Sequence, residues 1–506
     1  MSAFDRLAAS GSRGLAQELT LPELSSFGVT SSAPMTVVGG ASVAMFALGV
    51  PGTPLFFVAV GVVLGVWVVG YAALSQHVQS AGAQAAFITR GLGRVPGVAA
   101  QGVALVAYGA IYLCLYGLFG TVAAPVVARW TPLDPPWWAC AGVAAIGVGL
   151  LGRTRVKIAG RVLTCLLAAE VLAVVLVDVA GFVHPAGGSV DLSDIDPGSL
   201  LHHGWAGAGG VLAYAVASYV GCEETPGLAE DAHNGHRDVR RALLIAVSFL
   251  GVFYTVSFLA LSVGEGPGAV ATTAADPASG FPFDLVARAY GTAGPALADV
   301  ANVLLVTSVF AALASFHTVC TRYAYSGGRD RVLPALFGRI NPRNSSPSAA
   351  SQVVSVVALA VVALTAFTGT DPFLGLFAWG SYVAAVGILG LMIGSSVAVV
   401  AYFNRNVLGA SRAVTVVAPV VAALLMAGLW VLMLLSPQTM IGAPLFGRVH
   451  LTLLALPAAG LVLGLARAFA MRRRGSDGGW SRVGQATPVE RAAASLRDPV
   501  FTDVEL

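Results

Sequence analysis

Charge is what this chain has least of. Only 10% of its 506 residues are Asp, Glu, Lys or Arg, where a soluble domain carries about 25%. A water-soluble chain of this length needs far more polar surface to cover its core. Cysteine is also sparse. Cys114, Cys140, Cys165, Cys222 and Cys320 all lie in apolar segments at no metal-ligand spacing. They read as reduced core residues and not as a disulfide framework. The stretch up to Leu24 holds no apolar run, so no cleaved signal peptide is expected. Enzyme signatures are missing too: there is no P-loop, no H-E-x-x-H, no G-x-S-x-G in strand context and no CxxC pair. Gly91-Leu92-Gly93 lacks the third glycine and the preceding strand of a nucleotide fingerprint. His202 and His203 have no further ligands for a metal. Basic residues are spread over many loops, which argues against a nucleic-acid partner. No enzyme activity, cofactor or metal is expected.

What the chain does have is apolar length. Apolar residues make up 57% and the mean hydropathy is +0.80. Sixty glycines are compatible with membrane helices that pack through small residues. Crossing about 30 Å of hydrocarbon takes about 20 apolar residues in a helix. Twelve segments qualify: 26–49, 54–78, 97–128, 137–152, 156–183, 204–227, 239–264, 294–325, 349–369, 372–402, 413–436 and 448–471. The expected fold is therefore an all-α polytopic membrane protein. Of 28 Lys and Arg, all but Arg129, Arg288 and Arg448 fall on one side of these segments. That side should be cytoplasmic, with both termini on it. The expected organisation is a cytoplasmic segment 1–25, a membrane domain 26–471 and a flexible polar tail 472–506. Residues 79–96 read as an interfacial connector.

Two segments break helical rules at comparable places. The first contains Ser31-Ser32-Ala33-Pro34 and then Gly39-Gly40-Ala41-Ser42; the sixth contains Ser218-Tyr219-Val220-Gly221-Cys222-Glu223-Glu224-Thr225-Pro226-Gly227. Proline removes a donor and clashes with the preceding turn, and glycine lowers the barrier to leaving the helix. Unwound backbone at membrane depth must line a protein-enclosed cavity. Paired breaks, five helices apart, point to a transporter site between inverted repeats. Half-helix N-termini there suit an anion, and free carbonyls suit an ammonium group. A zwitterion satisfies both.

Four stretches carry a resemblance to a known family. They are Ser80 to Gly93; Ser218 to Glu224 with Leu228-Ala229-Glu230-Asp231 and Arg237 to Arg241; Ala314-Ser315-Phe316-His317 leading through Arg322 to Pro334; and Asn341-Pro342-Arg343 with Ser346-Pro347. In this order and spacing the chain, over about residues 25 to 470, resembles the amino acid–polyamine–organocation permease superfamily. The resemblance implies two inverted five-helix repeats, about 26–183 and 204–402, plus two peripheral helices. It implies a central site between helices one, three, six, eight and ten. By position, Gly39, Gly40, Ala41 and Ser42 would receive a substrate carboxylate. Val220 and Gly221 would face the amine through their backbone. Tyr108, Tyr112 and Trp379 would be walls or gates. Many relatives carry a Gly-Ser-Gly-type break in helix one, and Gly39 to Ser42 is the nearest match here.

Ionisable groups at bilayer depth are functional by default. Glu170 lies 13 residues past Lys157, about 20 Å along a helix axis, where some relatives of the superfamily carry a lysine. A carboxyl there can take up and release a proton during transport; the alternative is a permanently protonated, hydrogen-bonded Glu. Glu223 follows the Gly221 break, where related exchangers place a gating or coupling glutamate, and Glu224 competes with it. A helix-capping role is the alternative. Ser315 is a candidate for a coupling site. His317 is a candidate relay, though packed hydrogen-bonded histidines are commoner. Asp178 reads as interfacial, and Arg329 and Asp330 as pins of the cytoplasmic loop. The expected function is secondary active transport of amino acids across the cytoplasmic membrane, with a proton favoured over sodium as coupling ion. The expected partners are an amino-acid-like small molecule and the bilayer. A polyamine, organic-cation or nucleobase permease of the same fold, and a non-transporting receptor, stay open as alternatives.

Overall fold

The computed structural model describes residues 19–78, 80, 82–152, 156–196, 198, 208–228, 235–276, 279–341, 346–406, 410–475 and 480–484. Secondary structure among them is helical throughout, with no strand. The apolar runs become the following helices. α1 is Leu21–Ala47, interrupted after Ser31, and α2 is Thr53–Ser75. The short α3 is Ala83–Leu92, α4 is Arg94–Trp130, α5 is Trp137–Leu151 and α6 is Val156–Val183. α7 is Ala208–Tyr219, followed by a 3-10 stretch Cys222–Leu228. α8 is Gly235–Glu265, and α9 (Val270–Ala275) and α10 (Asp284–Ala289) lie in the connection to α11, Gly294–Arg329. α12 is Ser348–Thr368; α13 is Trp379–Arg405, entered through a π-turn Pro372–Ala378. α14 is Ala418–Leu435, α15 is Gln438–Ile441 and α16 is Arg448–Arg474.

Nine helices among the described residues are long and apolar enough to cross a membrane, and Trp137–Leu151 is a shorter apolar one. Burial separates a centre from a rim. In an apolar 18-residue stretch of each, 89% of Leu21–Ala47 and 72% of Pro372–Arg405 is buried inside the molecule, against 28%, 22% and 28% for Ser348–Thr368, Ala413–Leu435 and Arg448–Arg474. The rim helices turn Phe367, Leu424, Val462 and Leu463 outward, as a hydrocarbon solvent permits. Small residues let α16 lie directly on α4: a Cβ added to Gly460 would stand 2.7 Å from the Gly102 carbonyl oxygen, and one on Gly464 2.7 Å from the Ala99 Cα.

α1 starts at a capping box of Thr20 and Glu23. Its interruption lies at Ser32–Ala33, and Ala33 has φ 45°, ψ 73°. The helical region is disfavoured for a residue before proline, and at Pro34 the helix breaks one residue ahead of the proline and restarts at it. Gly39, Gly40 and Ala41, where the break was expected, instead lie in a π-turn, Val37–Ala41, that keeps the second half of α1 continuous.

Within the segment expected to be a free tail, Trp480–Arg482 form a 3-10 turn. Val483 is buried and packs with Val98, Ala468 and Met471, close to Val332 and Trp480. Its carbonyl accepts from Arg94 Nε at 3.1 Å, and the Arg94 guanidinium lies 5.7 Å over the Trp480 ring. This strap closes the arginine-rich end together with Arg405 on the Gly91 carbonyl and Arg467 on the Val332 and Arg331 carbonyls. The resemblance stretches at 229–231 and 342–345, and the side chains of Arg153, Arg155 and Lys157, lie outside the described residues.

Candidate functional site

The two interruptions meet. Ser32 Oγ lies within hydrogen-bond reach of the Tyr219 and Val220 carbonyls, at 3.2 and 3.4 Å, and Tyr254 Oη donates to the Ser32 carbonyl at 2.7 Å. Gly221 has φ 115°, and a Cβ there would sit 2.5 Å from Ser31 Cβ. Position 221 therefore needs glycine both for its backbone and for the close approach of α1. Around this crossing lies a cavity of about 40 Å³, walled by Ser31, Ser32, Tyr214, Ser218, Phe316 and Ser381 among others. It draws on α1, α4, α7, α11 and α13. Toward the end that carries Arg129 a larger vestibule of about 480 Å³ opens, lined by Gly39, Gly40, Phe283, Arg129, Asp299 and Asn302 among others.

The proposed contact residues distribute over these places. Ala41 and Val220 face the cavity, and Gly39 and Gly40 the vestibule. The Ser42 hydroxyl donates to the Val38 carbonyl of its own helix. Trp379 is half-buried and donates its indole N–H to the Ile441 carbonyl at 3.1 Å, tying α13 to α15. Tyr108 and Tyr112 stand in two separate polar chains.

The first chain surrounds the acidic pair after Gly221. Glu223 and Glu224 are both buried. Glu223 accepts from the Gly221 N–H at 2.7 Å and from Tyr108 Oη at 2.8 Å, and Gln84 Nε2 donates to the same Tyr108 oxygen at 3.0 Å. Tyr323 Oη donates to Glu224 at 2.9 Å, and its ring stacks on Tyr108 with centroids 5.1 Å apart. Tyr71 Oη donates to the Glu223 carbonyl at 3.1 Å. Three tyrosines and Gln84 thus cage two carboxyls, sealing the space between the break and the arginine-rich end. Arg322 adds a bond to the Gly227 carbonyl at 3.0 Å, and Arg329 reaches Ser80 Oγ at 3.4 Å and Asp330 at 3.8 Å.

The second chain joins Ser351 to His317 Nε2 at 2.9 Å, His317 Nδ1 to Tyr112 Oη at 3.1 Å, and Tyr112 to Tyr116 at 2.7 Å. It ties α12, α11 and α4 together through buried groups. Ser315, two residues nearer the vestibule end than His317, is fully buried and its hydroxyl has no hydrogen-bond partner.

Glu170 is fully buried beside the restart of α1. Ser308 Oγ is 2.7 Å from its Oε2, Thr36 Oγ1 is 3.1 Å from Ser308 Oγ, and the Met35 N–H points toward the carboxyl. Its Oε1 has no partner. Asp178, read from the sequence as interfacial, is buried and accepts from Ser257 Oγ at 3.0 Å. Sequence reasoning did not single out Ser308, Thr36, Tyr254, Tyr71 or Tyr323. The available signal was hydroxyl-bearing residues facing each acid, and its reading needs the helix pairing.

A family model described as amino acid permease matches residues 21–455. The chain belongs to the amino acid permease family. Individual members are distant. An uncharacterized amino acid permease of Bacillus subtilis is 29% identical over 164 residues, 31% of this chain and 35% of that protein. A lysine-specific permease of Lactococcus lactis is 26% identical over 286 residues, 54% and 55% of the two chains. A cationic amino acid transporter of Arabidopsis thaliana is 27% identical over 209 residues, 40% and 32%. The chain thus spans a third to about half of the length of these curated permeases. The matched region contains both interruptions, the tyrosine cage and Glu170.

Proposed function

We propose that this permease is a secondary active transporter of amino acids that works by alternating access around the crossing of α1 and α7. The observation that carries the reading is the meeting of two broken helices, Ser32 on Tyr219 and Val220, at a small cavity in a chain of this family. We take the twelve apolar segments as spans, built as two inverted five-helix repeats plus α14 and α16, with both termini cytoplasmic. The arginine asymmetry and the five-helix separation of the breaks support this arrangement.

The restart of α1 at Pro34 presents its positive end to a substrate carboxylate, with Ala41 and the Gly39–Ser42 stretch one to two turns further on. Val220 and Gly221 offer backbone groups to the amine. The small cavity and its apolar walls, Val37, Ile111, Leu115, Phe316 and Phe377, favour a small neutral side chain. Two of the matched relatives are named for lysine and for cationic amino acids. The cavity lining here carries no carboxylate among its described residues, which separates this site from such substrates.

Glu170 supplies the coupling. Its carboxyl sits at the same helix start that would hold the substrate carboxylate. Two anions at one positive end repel each other, so a proton on Glu170 admits the substrate and its departure releases it. Glu223, in the tyrosine cage, acts as the inner gate, and Ser315 and His317 lie on the helix that would move between the two. In proteoliposomes, a radiolabelled panel of amino acids should show uptake of a small neutral one, driven by an inward pH gradient. Absence of uptake for every amino acid would refute the transporter reading. Glu170→Gln should retain counterflow exchange and lose accumulation against a gradient. Full gradient-driven accumulation in that variant would remove Glu170 from coupling.

A further inference from the structure

Two carboxyls of α6 share a structural signature. Glu170 and Asp178 are 0% and 8% exposed. Each accepts from a single serine hydroxyl, Ser308 on α11 and Ser257 on α8. Each keeps its other oxygen, Glu170 Oε1 and Asp178 Oδ1, buried and without a hydrogen-bond partner. Most buried polar atoms in folded proteins are satisfied, so two half-satisfied carboxyls on one membrane helix call for a ligand. Neither is paired with an arginine among the described residues, and charge without a counter-ion is unfavourable at this depth.

The ligand that fits is a proton. A metal ion needs several oxygens at once, and among the described residues no group of three His, Cys, Asp or Glu is gathered. Asp178 lies five residues from the end of α6 that faces away from the arginine-rich side, and Glu170 eight residues deeper, about 12 Å along the axis. α8 bridges this interval. Ser257 holds Asp178; Tyr254, one turn deeper, bonds the Ser32 carbonyl at the break and lies within electrostatic reach of Glu170. Other titratable groups on elements packed against this face are Glu265 and Arg288, paired with each other, Asp284 at the start of α10, Tyr290, whose hydroxyl donates to the Leu176 carbonyl, buried Asp194, which accepts from Ser262 of α8, and Tyr219 and Cys222 beside Tyr254. None of these bonds the free oxygen of Asp178.

We propose that Asp178 is the outer proton acceptor that loads Glu170, along a path on α6 and α8, whose residues do not line the vestibule. This rests on the coupling role assigned to Glu170 above. Asp178 takes a proton from the outer water and becomes a carboxylic acid. It passes that proton inward through water admitted between α6 and α8, each bridging water giving up one proton as it receives another; Tyr254 Oη, which donates to the Ser32 carbonyl, bonds neither carboxyl. Glu170 ends protonated and Asp178 is left as the carboxylate until the outer water protonates it again, so each proton taken up is accounted for and both groups end as carboxylic acids. Asp178 touches no substrate and acts through Glu170, so it is a positioning and relay residue.

The test uses the full chain in proteoliposomes, with Asp178→Asn, Glu170→Gln and Ser257→Ala. Infrared difference spectra after an outer pH jump read carboxyl protonation without any substrate. Two carboxylic-acid bands are expected, one lost in each acid variant. In Asp178→Asn the Glu170 band should still titrate, but about a hundredfold more slowly. With radiolabelled alanine, Asp178→Asn should keep counterflow exchange and slow pH-driven uptake by a similar factor. Ser257→Ala should keep both bands and an intermediate rate. A Glu170 band that responds as fast in Asp178→Asn as in the parent overturns the proposal. So does loss of counterflow in step with drive, which marks a purely structural role. If the parent moves neither alanine nor any other amino acid of the panel, the transport reading fails while the infrared arm still decides the proton path.

Discussion

A single glycine sets the tightest constraint at the residue scale. Gly221 combines φ 115° with Ser31 at contact distance. Gly221→Ala should destabilise the protein by about 1–3 kcal/mol through strain and overlap, read as a lower thermal midpoint in detergent, and should abolish uptake. An unchanged midpoint would mean that the α1 break shifts freely. Tyr108 makes a different kind of contribution, because its hydroxyl serves Glu223 and Gln84 at once. Tyr108→Phe leaves two buried polar groups short of a partner. It should cost about 1–3 kcal/mol while substrate affinity changes little, since the ring lines neither cavity.

At the scale of elements, the apolar runs were legible because hydrocarbon imposes length and composition together. Every run chosen from sequence contains helix, and ends differ by a few residues except in the run 204–227, where the α-helix stops at Tyr219 and a 3-10 stretch follows. The position of the α1 break was less legible. Gly39-Gly40 is the more conspicuous pair, yet glycine only permits an interruption, whereas proline works against the helix at the residue before it; Pro125 and Pro457 lie inside unbroken helices, so proline alone does not announce the break either. A π-turn then absorbs the glycines. Pro34→Ala restores a backbone N–H and frees Ala33 to be helical, so α1 should run straighter and substrate affinity should fall about tenfold or more (roughly 1.4 kcal/mol); equal affinity would place the site away from the break. The burial of Glu170 was legible from its depth alone. Its partners were not, because Ser308 and Thr36 are far from it in sequence and only packing brings them together. Trp379 illustrates the converse: a tryptophan near the expected site turned to the Ile441 carbonyl, a bond that no spacing in the chain announces.

The whole molecule is asymmetric across its thickness. A wide vestibule opens toward the Arg129 end, whereas the tyrosine cage, Arg329 and the Trp480–Gly484 strap crowd the other. In a cysteine-free background, Val43→Cys, on the vestibule wall, should react readily with a membrane-impermeant thiol reagent applied from the Arg129 side. Ser326→Cys, buried behind the strap, should react slowly from the other side, and faster labelling of Ser326→Cys than of Val43→Cys would reverse the assignment of open and closed faces. The strap also places an optical reporter where none was engineered. Trp480 lies under the Arg94 guanidinium and beside Val483, so its indole experiences a fixed positive charge only while the arginine-rich face is shut. Any state in which that face parts from the strap must change the colour and yield of its emission, and the protein carries its own dye for timing that event.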